Sequence, residues 1–418
     1  MIHAVGMIVE YNPFHNGHLW HLNEAKKKSG AAFSIGVMSG NFLQRGEPAM
    51  LDKWSRAAIA VKAGVDLIIE LPVVFAVRSA QYFATGGVQL LNRLGIVSHL
   101  CFGAETPEIK KLSVVANALN QENTINAMLE KMKTGQTYAA SIAAALSANC
   151  EIDAQLLQSP NNLLAIEYIR AIGAYAPQLI PLSIKRQTAD YHDVAITSSI
   201  ASATAVRTAI IENGTIVPNS AAWQTVPLNC AQQINELIHA GKGPVTLDSF
   251  NNIILAKMRT MDLNQLALLP DVTEGLHNKI SSAALKATTA HELLFNVKSK
   301  RYTMTRLQRI IIHALLGTTK QKLTEFDRLG PLYARVLAFN DNGRMLLKEI
   351  HKKAAIPVIT KTSHHLTSKQ HHTNQLTPLQ NMLAYDVTAT DIFTLGFPNC
   401  AWRSGGLDYR FSPLYLPN

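Results

Sequence analysis

Apolar positions along the first hundred residues fall into two alternating patterns. Short unbroken runs at Ala4–Glu10, Ser34–Met38, Val65–Leu71 and Val97–Gly103 have the length of buried strands. Between them lie stretches with helical spacing: Gly17–Lys28, Lys53–Ala63 closing near Gly64, and Ser79–Leu94 closing at Gly95. Runs that do not alternate with polar residues mark strands covered on both faces. Strands joined by helices of this length need right-handed crossovers, so the pattern predicts an open α/β domain with a parallel sheet. Such sheets take ligands beyond the carboxyl ends of their strands, which directs attention to the loops after Val9, Met38, Leu71 and Phe102.

Further on, Ser113–Ala148 reads as Ala-rich helix, Asn162–Tyr175 as helix, Ile180–Ile184 as one more strand and Thr204–Asn213 as helix. Gly214–Pro227 is small, polar and broken by Pro218 and Pro227, which places a domain boundary there and divides the chain into 1–215 and 216–418. Helical spacing dominates the second part: Ala231–His239, Asn251–Met258, Leu276–Ala290, Thr305–Leu316 and Leu332–His351. Thr360–Thr377 is a Thr, His, Lys and Gln tract that reads as a linker. Its paired histidines, His364 with His365 and His371 with His372, have no Cys or carboxylate beside them, and no functional metal is expected.

Composition narrows the class. With 418 residues and 47% apolar content the chain buries a sizeable core, which excludes a disordered or fibrous protein. The most apolar run, Val65–Val77, is interrupted by Glu70 and Pro72 and is too short to span a bilayer. Met1–Asn12 lacks the charged start and long apolar stretch of a secretion signal, and Cys101, Cys150, Cys230 and Cys400 form no CxxC pair. A cytoplasmic protein with reduced thiols and no membrane contact is expected. The net charge of +10 is lopsided: residues 1–215 carry 17 basic and 16 acidic side chains, residues 216–418 carry 22 and 13. A polyanion partner for the second half is the physical reading of that asymmetry.

The segment Glu10-Tyr11-Asn12-Pro13-Phe14-His15-Asn16-Gly17-His18-Leu19-Trp20-His21 joins the first strand to the first helix. Pro13 halts the strand, Gly17 lets a ligand approach the backbone, and the free amides of the first helical turn favour an anion. His15 and His18 lie three apart, so both imidazoles can serve the same phosphate as hydrogen-bond donors. At a later helix start, Ser202 and Thr204 can cap while Arg207, one turn in, can grip a β- or γ-phosphate.

These residues resemble the nucleotidyltransferase superfamily that carries an HxGH turn and, later, an ISxTxxR turn. The second signature is matched from Ser202 to Arg207, with Ala201 in place of the Ile. Within that superfamily the chain resembles the bacterial tRNA(Met) cytidine acetate ligases, through VEYNPFHNGHLWH at Val9–His21, VMSGNFLQRGEPA at Val37–Ala49 and DLIIELP at Asp66–Pro72. CFGAE at Cys101–Glu105, SPNNLLAIEYIRA at Ser159–Ala171 and IKRQTADYHD at 184–193 continue the match. It ends with IASATAVR at Ile200–Arg207 and KSKRYTMTRLQRIIIHALLG at Lys298–Gly317.

The resemblance implies an N-terminal Rossmann-like parallel-sheet nucleotidyltransferase domain followed by a mainly α-helical, tRNA-binding C-terminal domain. It implies that ATP is held by Ile8, Val9, Glu10, Tyr11, Asn12, Pro13, Phe14, His15, Asn16, Gly17, His18, Leu19, Trp20 and His21, and by Gly103, Asn161 and Arg186. Ser202, Thr204 and Arg207 join them through the second signature, with His15 and His18 as the catalytic pair and Mg²⁺ as the expected companion of ATP. From the residues alone, Gly103 leaves room for an adenine or ribose, Asn161 offers donor and acceptor, and Arg186 supplies fixed charge. The polar loop Ser39–Glu47, with Asn41, Gln44 and Arg45 between Gly40 and Gly46, is expected to lie over the site.

In the second half Lys298, Lys300, Arg301, Arg306 and Arg309 crowd into twelve residues, with no Asp or Glu between Glu292 and Glu325, and Tyr302 and His313 add flat rings. That is the composition of a nucleic-acid-facing surface, which the resemblance assigns to tRNA. The activity implied is two-step: acetate attacks ATP to give acetyl-adenylate, and the wobble cytidine amine of elongator tRNA(Met) takes the acetyl group, with no obligate protein partner. The alternative is a nucleotidyltransferase acting on a small phosphorylated metabolite, which has no use for a basic helical extension. A class I aminoacyl-tRNA synthetase relative shares the HxGH turn, but the chain has no KMSKS-like loop.

Overall fold

The computed structural model describes residues 3–134, 136, 138–146, 154–157, 159–186, 200–273, 275–373 and 375–417. The first half follows the predicted alternation within a residue or two. Its elements are β1 (Ala4–Val9), α1 (Asn16–Ser29), β2 (Phe33–Ser39), α2 (Lys53–Lys62), β3 (Leu67–Leu71), α3 (Ala80–Arg93), β4 (Val97–Ala104), α4 (Pro160–Tyr175), β5 (Ile180–Lys185) and α5 (Ala203–Asn213). Local chemistry fixes the ends. α1 stops at Gly30, which takes the left-handed φ of 64°, and the Asp52 carboxylate caps α2 by accepting from the amides of Trp54 and Ser55 at 3.0 Å.

The expected Ala-rich helix after Ser113 is three helices, Ile109–Ala118, Glu122–Lys133 and Tyr138–Leu146, and the last residues of that expectation lie outside the described set. In the second half α6 (Leu228–His239) and α7 (Met304–Leu316) match the prediction, whereas Leu276–Ala290 divides into Leu276–Lys286 and Ala290–Val297. Leu332–His351 is not one helix. It opens as β6 (Ala334–Phe339), turns at Asn340, and continues as α8 (Asp341–Lys353). Asn340 caps α8 by accepting from Gly343 N at 2.9 Å, a start signal that marks the change of period. Among the described residues the tract after Thr360 holds two short helical segments, Thr362–His364 and Ser368–His371, preceded by β7 (Val358–Ile359), and it gives way to α9 (Pro378–Thr394), a helix not expected from the sequence. α9 begins with a Thr377–Gln380 capping box and Pro378 in the first turn. β8 (Leu414–Tyr415) closes the chain.

Among the described residues eight strands form one sheet in the order β5-β4-β1-β2-β3-β6-β7, with β8 on β6. Every pairing is parallel except β3 with β6. The strand order reverses beside β1, so the β1–α1 turn stands at the crevice between β1 and β4. One apolar cluster takes in α3, α4 and the C-terminal helices; the other takes in α1, α2, α5 and α6.

Since β6, β7 and β8 come from the second half, the expected division at 215 and 216 does not divide the sheet. A buried ion cluster joins the two parts. Lys53 Nζ lies 2.9 Å from Glu70 Oε1 and 2.8 Å from Asp408 Oδ1, and Arg335 bridges the same two carboxylates. All four side chains are buried. Above them Asp386 of α9 accepts from Val73 N at 2.7 Å and from the Tyr333 hydroxyl, and burial, with the Glu70 charge nearby, pushes its carboxyl up to about 7.

Removing one member of a buried charge set leaves the others uncompensated, at a cost of about 3 kcal/mol or more. Asp408→Asn keeps the shape of the side chain while stranding Lys53 and Arg335 on Glu70 alone. Urea unfolding should show that loss, and an unchanged midpoint would contradict the role given to the cluster.

Candidate nucleotide site

The turn leaving β1 is held from several sides. Tyr11 takes a left-handed φ of 46°, rare for an aromatic residue, and the peptide before Pro13 is cis. Arg56 donates to the carbonyls of Glu10, Ser39 and Gly40, and Arg207 Nη1 donates to the Asn12 carbonyl at 2.9 Å. The Asn12 side chain accepts from Met50 N at 2.8 Å, and Asn16 is bonded to the Gln224 and Thr225 carbonyls at 2.8 Å. Neighbouring elements thus fix a backbone conformation that the local sequence would not hold alone.

His15 is the N-cap of α1, and it forms a reciprocal clasp with His18. Nδ1 of His15 accepts from Gly17 N at 3.0 Å, and Nδ1 of His18 accepts from His15 N at 3.3 Å. An imidazole nitrogen that accepts carries no proton, so each neutral ring must carry its proton on Nε2. The two rings lie 3.8 Å apart between centroids, with Tyr11 and Phe14 against His18 at 5.0 and 5.6 Å. A side chain at Gly17 would fall 2.8 Å from the His15 ring, so glycine is what allows the clasp. Burial, with Arg186 and Arg207 nearby, brings His15 down to about 3; burial, His15 and Arg186 take His18 well below its ordinary value. His21, half-buried, falls to about 4 through desolvation and the Arg186 charge, and its Nε2 lies 3.7 Å from Cys101 Sγ. The resting site therefore offers neutral imidazole donors, not the half-charged pair that unperturbed histidines would give.

A second group converges at the ends of β4 and β5. Gly103 lies beneath Arg186, whose Nη1 donates to Asn161 Oδ1 at 3.3 Å. Asn161 Nδ2 donates to Glu105 Oε1 at 2.6 Å, and Asn162 N donates to Glu105 Oε2 at 3.0 Å. Glu105 received no role from the sequence, although it ends the CFGAE motif two residues after Gly103. A third group is the start of α5, where Ser202 Oγ accepts from Ala205 N at 3.1 Å and Thr204 Oγ1 from Arg207 Nη2 at 3.3 Å. Ile200 packs near Gly17, so the starts of α1 and α5 adjoin. The fold brings together His15, His18, Gly103, Asn161, Arg186, Ser202, Thr204 and Arg207. Ile8, Val9, Leu19 and Trp20 pack against the two apolar clusters. The IKRQTADYHD motif beyond Arg186 lies outside the described residues.

The loop Ser39–Glu47 packs into the body of the protein and against the turn. Asn41, Phe42 and Leu43 are buried, and Gln44 N donates to Glu10 Oε1 at 2.7 Å. Gly46, at φ 80°, packs so tightly on the backbone of Arg309 that a Cβ would lie 2.3 Å from its amide nitrogen. Burial raises the Glu10 carboxyl despite the amide of Gln44 and the charges of Arg45, Arg56 and Arg207.

The expected RNA-facing run does not form one surface. Tyr302, Arg309 and His313 are buried, and α7 is buried from Leu307 to Leu316. Arg309 Nε lies 3.3 Å from Asp271 Oδ2, and Arg306 donates twice to the Asp271 carbonyl, at 3.0 and 2.7 Å. The missing anion is thus supplied from 35 or more residues upstream, where a scan of local charge does not see it. Lys298 and Lys300 remain exposed, and Arg301 Nη2 donates to the Lys133 carbonyl at 3.4 Å. Cys101 and Cys230 are buried free thiols, Cys400 is an exposed one, and Cys150 lies outside the described residues. Among the described residues no three His, Cys, Asp or Glu side chains group as metal ligands, and no helix is long and apolar enough to cross a membrane.

A parallel sheet whose switch point carries a clasped HxGH turn, faced by two arginines and a second capped helix start, defines a nucleotidyltransferase of the HxGH class. Consistent with this, the HIGH Nucleotidyl Transferase family matches residues 2–406. The tRNA(Met) cytidine acetate ligase of Acetivibrio thermocellus is 40% identical over 412 residues, covering 97% of this chain and 98% of that protein. That of Thermoanaerobacter sp. is 41% identical over 411 residues, with the same coverage. The crystal structure of Thermotoga maritima TmcAL bound with alpha-thio ATP is 30% identical and superposes with a TM-score of 0.90 over 100% of both chains. The chain belongs to the tRNA(Met) cytidine acetate ligase family.

Asn161 is oriented by having a carboxylate at one end of its amide and a guanidinium at the other. In Glu105→Gln the new amide offers one oxygen where the carboxylate offered two, so Asn161 Nδ2 and Asn162 N compete for it and Asn161 loses its charge-assisted hold opposite Arg186. Steady-state kinetics should show KM for ATP raised about tenfold, the effect of losing a charge-assisted contact, with kcat and melting temperature little changed. An unaltered KM would remove Glu105 from the site's design.

Proposed function

We propose that this chain is an ATP-dependent ligase that activates acetate and transfers the acetyl group to the exocyclic amine of the wobble cytidine in elongator tRNA(Met). The carrying observation is the His15–His18 clasp with Arg186 and Arg207 beside it, supported by full-length similarity to a structure bound with an ATP analogue. In the first step an acetate oxygen attacks the α-phosphorus of ATP, forming acetyl-adenylate and releasing pyrophosphate. In the second the cytidine N4 attacks the acetyl carbonyl, the amine loses a proton, and AMP leaves. A cytosine amine is a weak nucleophile and acetate a weak electrophile, so activation has to precede transfer.

In-line attack at phosphorus asks for position and charge stabilisation more than for covalent help. The two Nε2–H groups are pre-set donors for non-bridging oxygens, and Arg186 and Arg207 bring charge that does not titrate. Neutral imidazoles suit this arrangement: they do not repel the adjacent guanidiniums, and each Nε2–H can donate to a phosphate oxygen while Nδ1 goes on capping the helix. Among the described residues two carboxylates near the turn are already engaged, Glu10 by Gln44 N and Glu105 by Asn161 and Asn162. These residues do not form a Mg²⁺ cage, and an ion accompanying ATP would supply charge neutralisation for the phosphates.

The tRNA would meet the second half, where Lys298 and Lys300 are proposed as phosphate contacts. Action on a small phosphorylated metabolite is not favoured, because the similarity continues through residues 216–418.

His18→Ala should leave the melting temperature near that of the native protein and reduce acetate-dependent acetyl-adenylate formation by roughly a hundredfold or more, as for loss of a preorganised transition-state donor. His18→Asn, which can still donate, should recover part of the rate. Near-normal pyrophosphate release by His18→Ala would remove the assignment.

A further inference from the structure

Away from the turn, a groove of about 650 Å³ lies between α2, α6 and the segment 397–414, a size in the range of small-molecule sites. Its floor and walls include flat rings held in place. Trp402 keeps 41% of its surface exposed, yet its Nε1 donates to the Ala240 carbonyl at 2.9 Å and Lys242 Nζ sits 3.9 Å from the ring centre. Phe411, 40% exposed, stacks on Trp54 with centroids 4.9 Å apart and planes 28° from parallel. Trp54 follows Lys53 and Phe411 comes three residues after Asp408, so this pair rests directly on the buried ion cluster.

The charges around these rings are unbalanced. Lys62, Lys242 and Arg410 line the groove; of the two carboxylates there, that of Asp52 is committed to capping α2, which leaves Glu236. Rigid half-exposed aromatics ringed by cations suit a ligand that is both flat and anionic, which is the chemistry of a nucleotide in a single strand. An apolar helix would leave the cations unused, and an acidic peptide would leave the rings unused.

The groove also stands near the reacting centre. Its rim residue Asp52 comes two residues, or about 7 Å of chain, after Met50. Met50 N is the donor to Asn12 in the phosphate turn, and the Met50 carbonyl accepts from Val245 N at 2.9 Å, just beyond Lys242. A strand whose target base lies over the turn reaches the groove with a nearby nucleotide.

We infer that this groove holds an unpaired nucleobase of the RNA substrate close to the base that reacts, stacked on Trp402 or Phe411, with Lys62, Lys242 and Arg410 on its phosphates. The inference rests on the reading that the substrate is RNA. It does not concern the ATP site, and the two can be tested apart.

The test compares the native enzyme with Trp402→Ala, Trp402→Phe and Lys242→Ala, measuring acetyl transfer to a tRNA(Met) transcript and, without RNA, acetate-dependent ATP–pyrophosphate exchange. Trp402→Ala should raise KM for the transcript about tenfold or more, as for loss of a stacked base. Lys242→Ala should raise it less and weaken its salt dependence, and Trp402→Phe should restore most of the affinity, while exchange stays at the native rate in all three. Unchanged KM in both Trp402→Ala and Lys242→Ala overturns the groove's role, as does an equal loss of exchange, which would mark a general defect. Native enzyme that exchanges pyrophosphate yet labels no RNA overturns the reading beneath the inference.

Discussion

The reciprocal clasp between His15 and His18 is the constraint on which the site depends. Two histidines that cap one helix end cannot also accept hydrogen bonds from a ligand through the same nitrogens. The caps therefore settle the tautomer of both rings and leave two N–H donors for a triphosphate. Aspartate would cap the helix as well, but it would leave no donor for a phosphate oxygen and would add a charge that repels it. The cap costs little because the helix needs its first amides satisfied in any case.

Everything around the clasp serves to keep it in register. The turn takes a conformation that Tyr11 does not prefer, and Arg56, Arg207 and Met50 each hold one of its polar groups. Arg56 belongs to α2, whose first residue, Lys53, is locked to Glu70 and Asp408, the two carboxylates that Arg335 also holds. Residues of the second half thus support the geometry of the turn, through β6 and the residues around Asp408.

The sequence is most informative where the signal is local. The β1–α1 turn, the parallel strands and the cap at Ser202 are written in runs, glycines and capping residues within a few positions of one another. It is silent where the partner is distant. Arg306 and Arg309 read as free cations because Asp271, which engages both, lies outside any helical window. Arg335 interrupts an apolar stretch that is in fact a strand, since its charge is met by Asp408, 73 residues on. Glu105 stood in plain view beside Gly103, but its use depends on the amide of Asn161 being brought back by the next crossover. α9 was legible in principle, from Thr377, Pro378 and Gln380, and was passed over because a polar tract precedes it.

The most direct test of the clasp is a crystal structure of this protein with a non-hydrolysable ATP analogue. The account predicts phosphate oxygens within about 3 Å of Nε2 of both His15 and His18, with each Nδ1 still accepting its backbone amide. A triphosphate bound elsewhere, or imidazoles turned so that Nδ1 meets the phosphates, would contradict it.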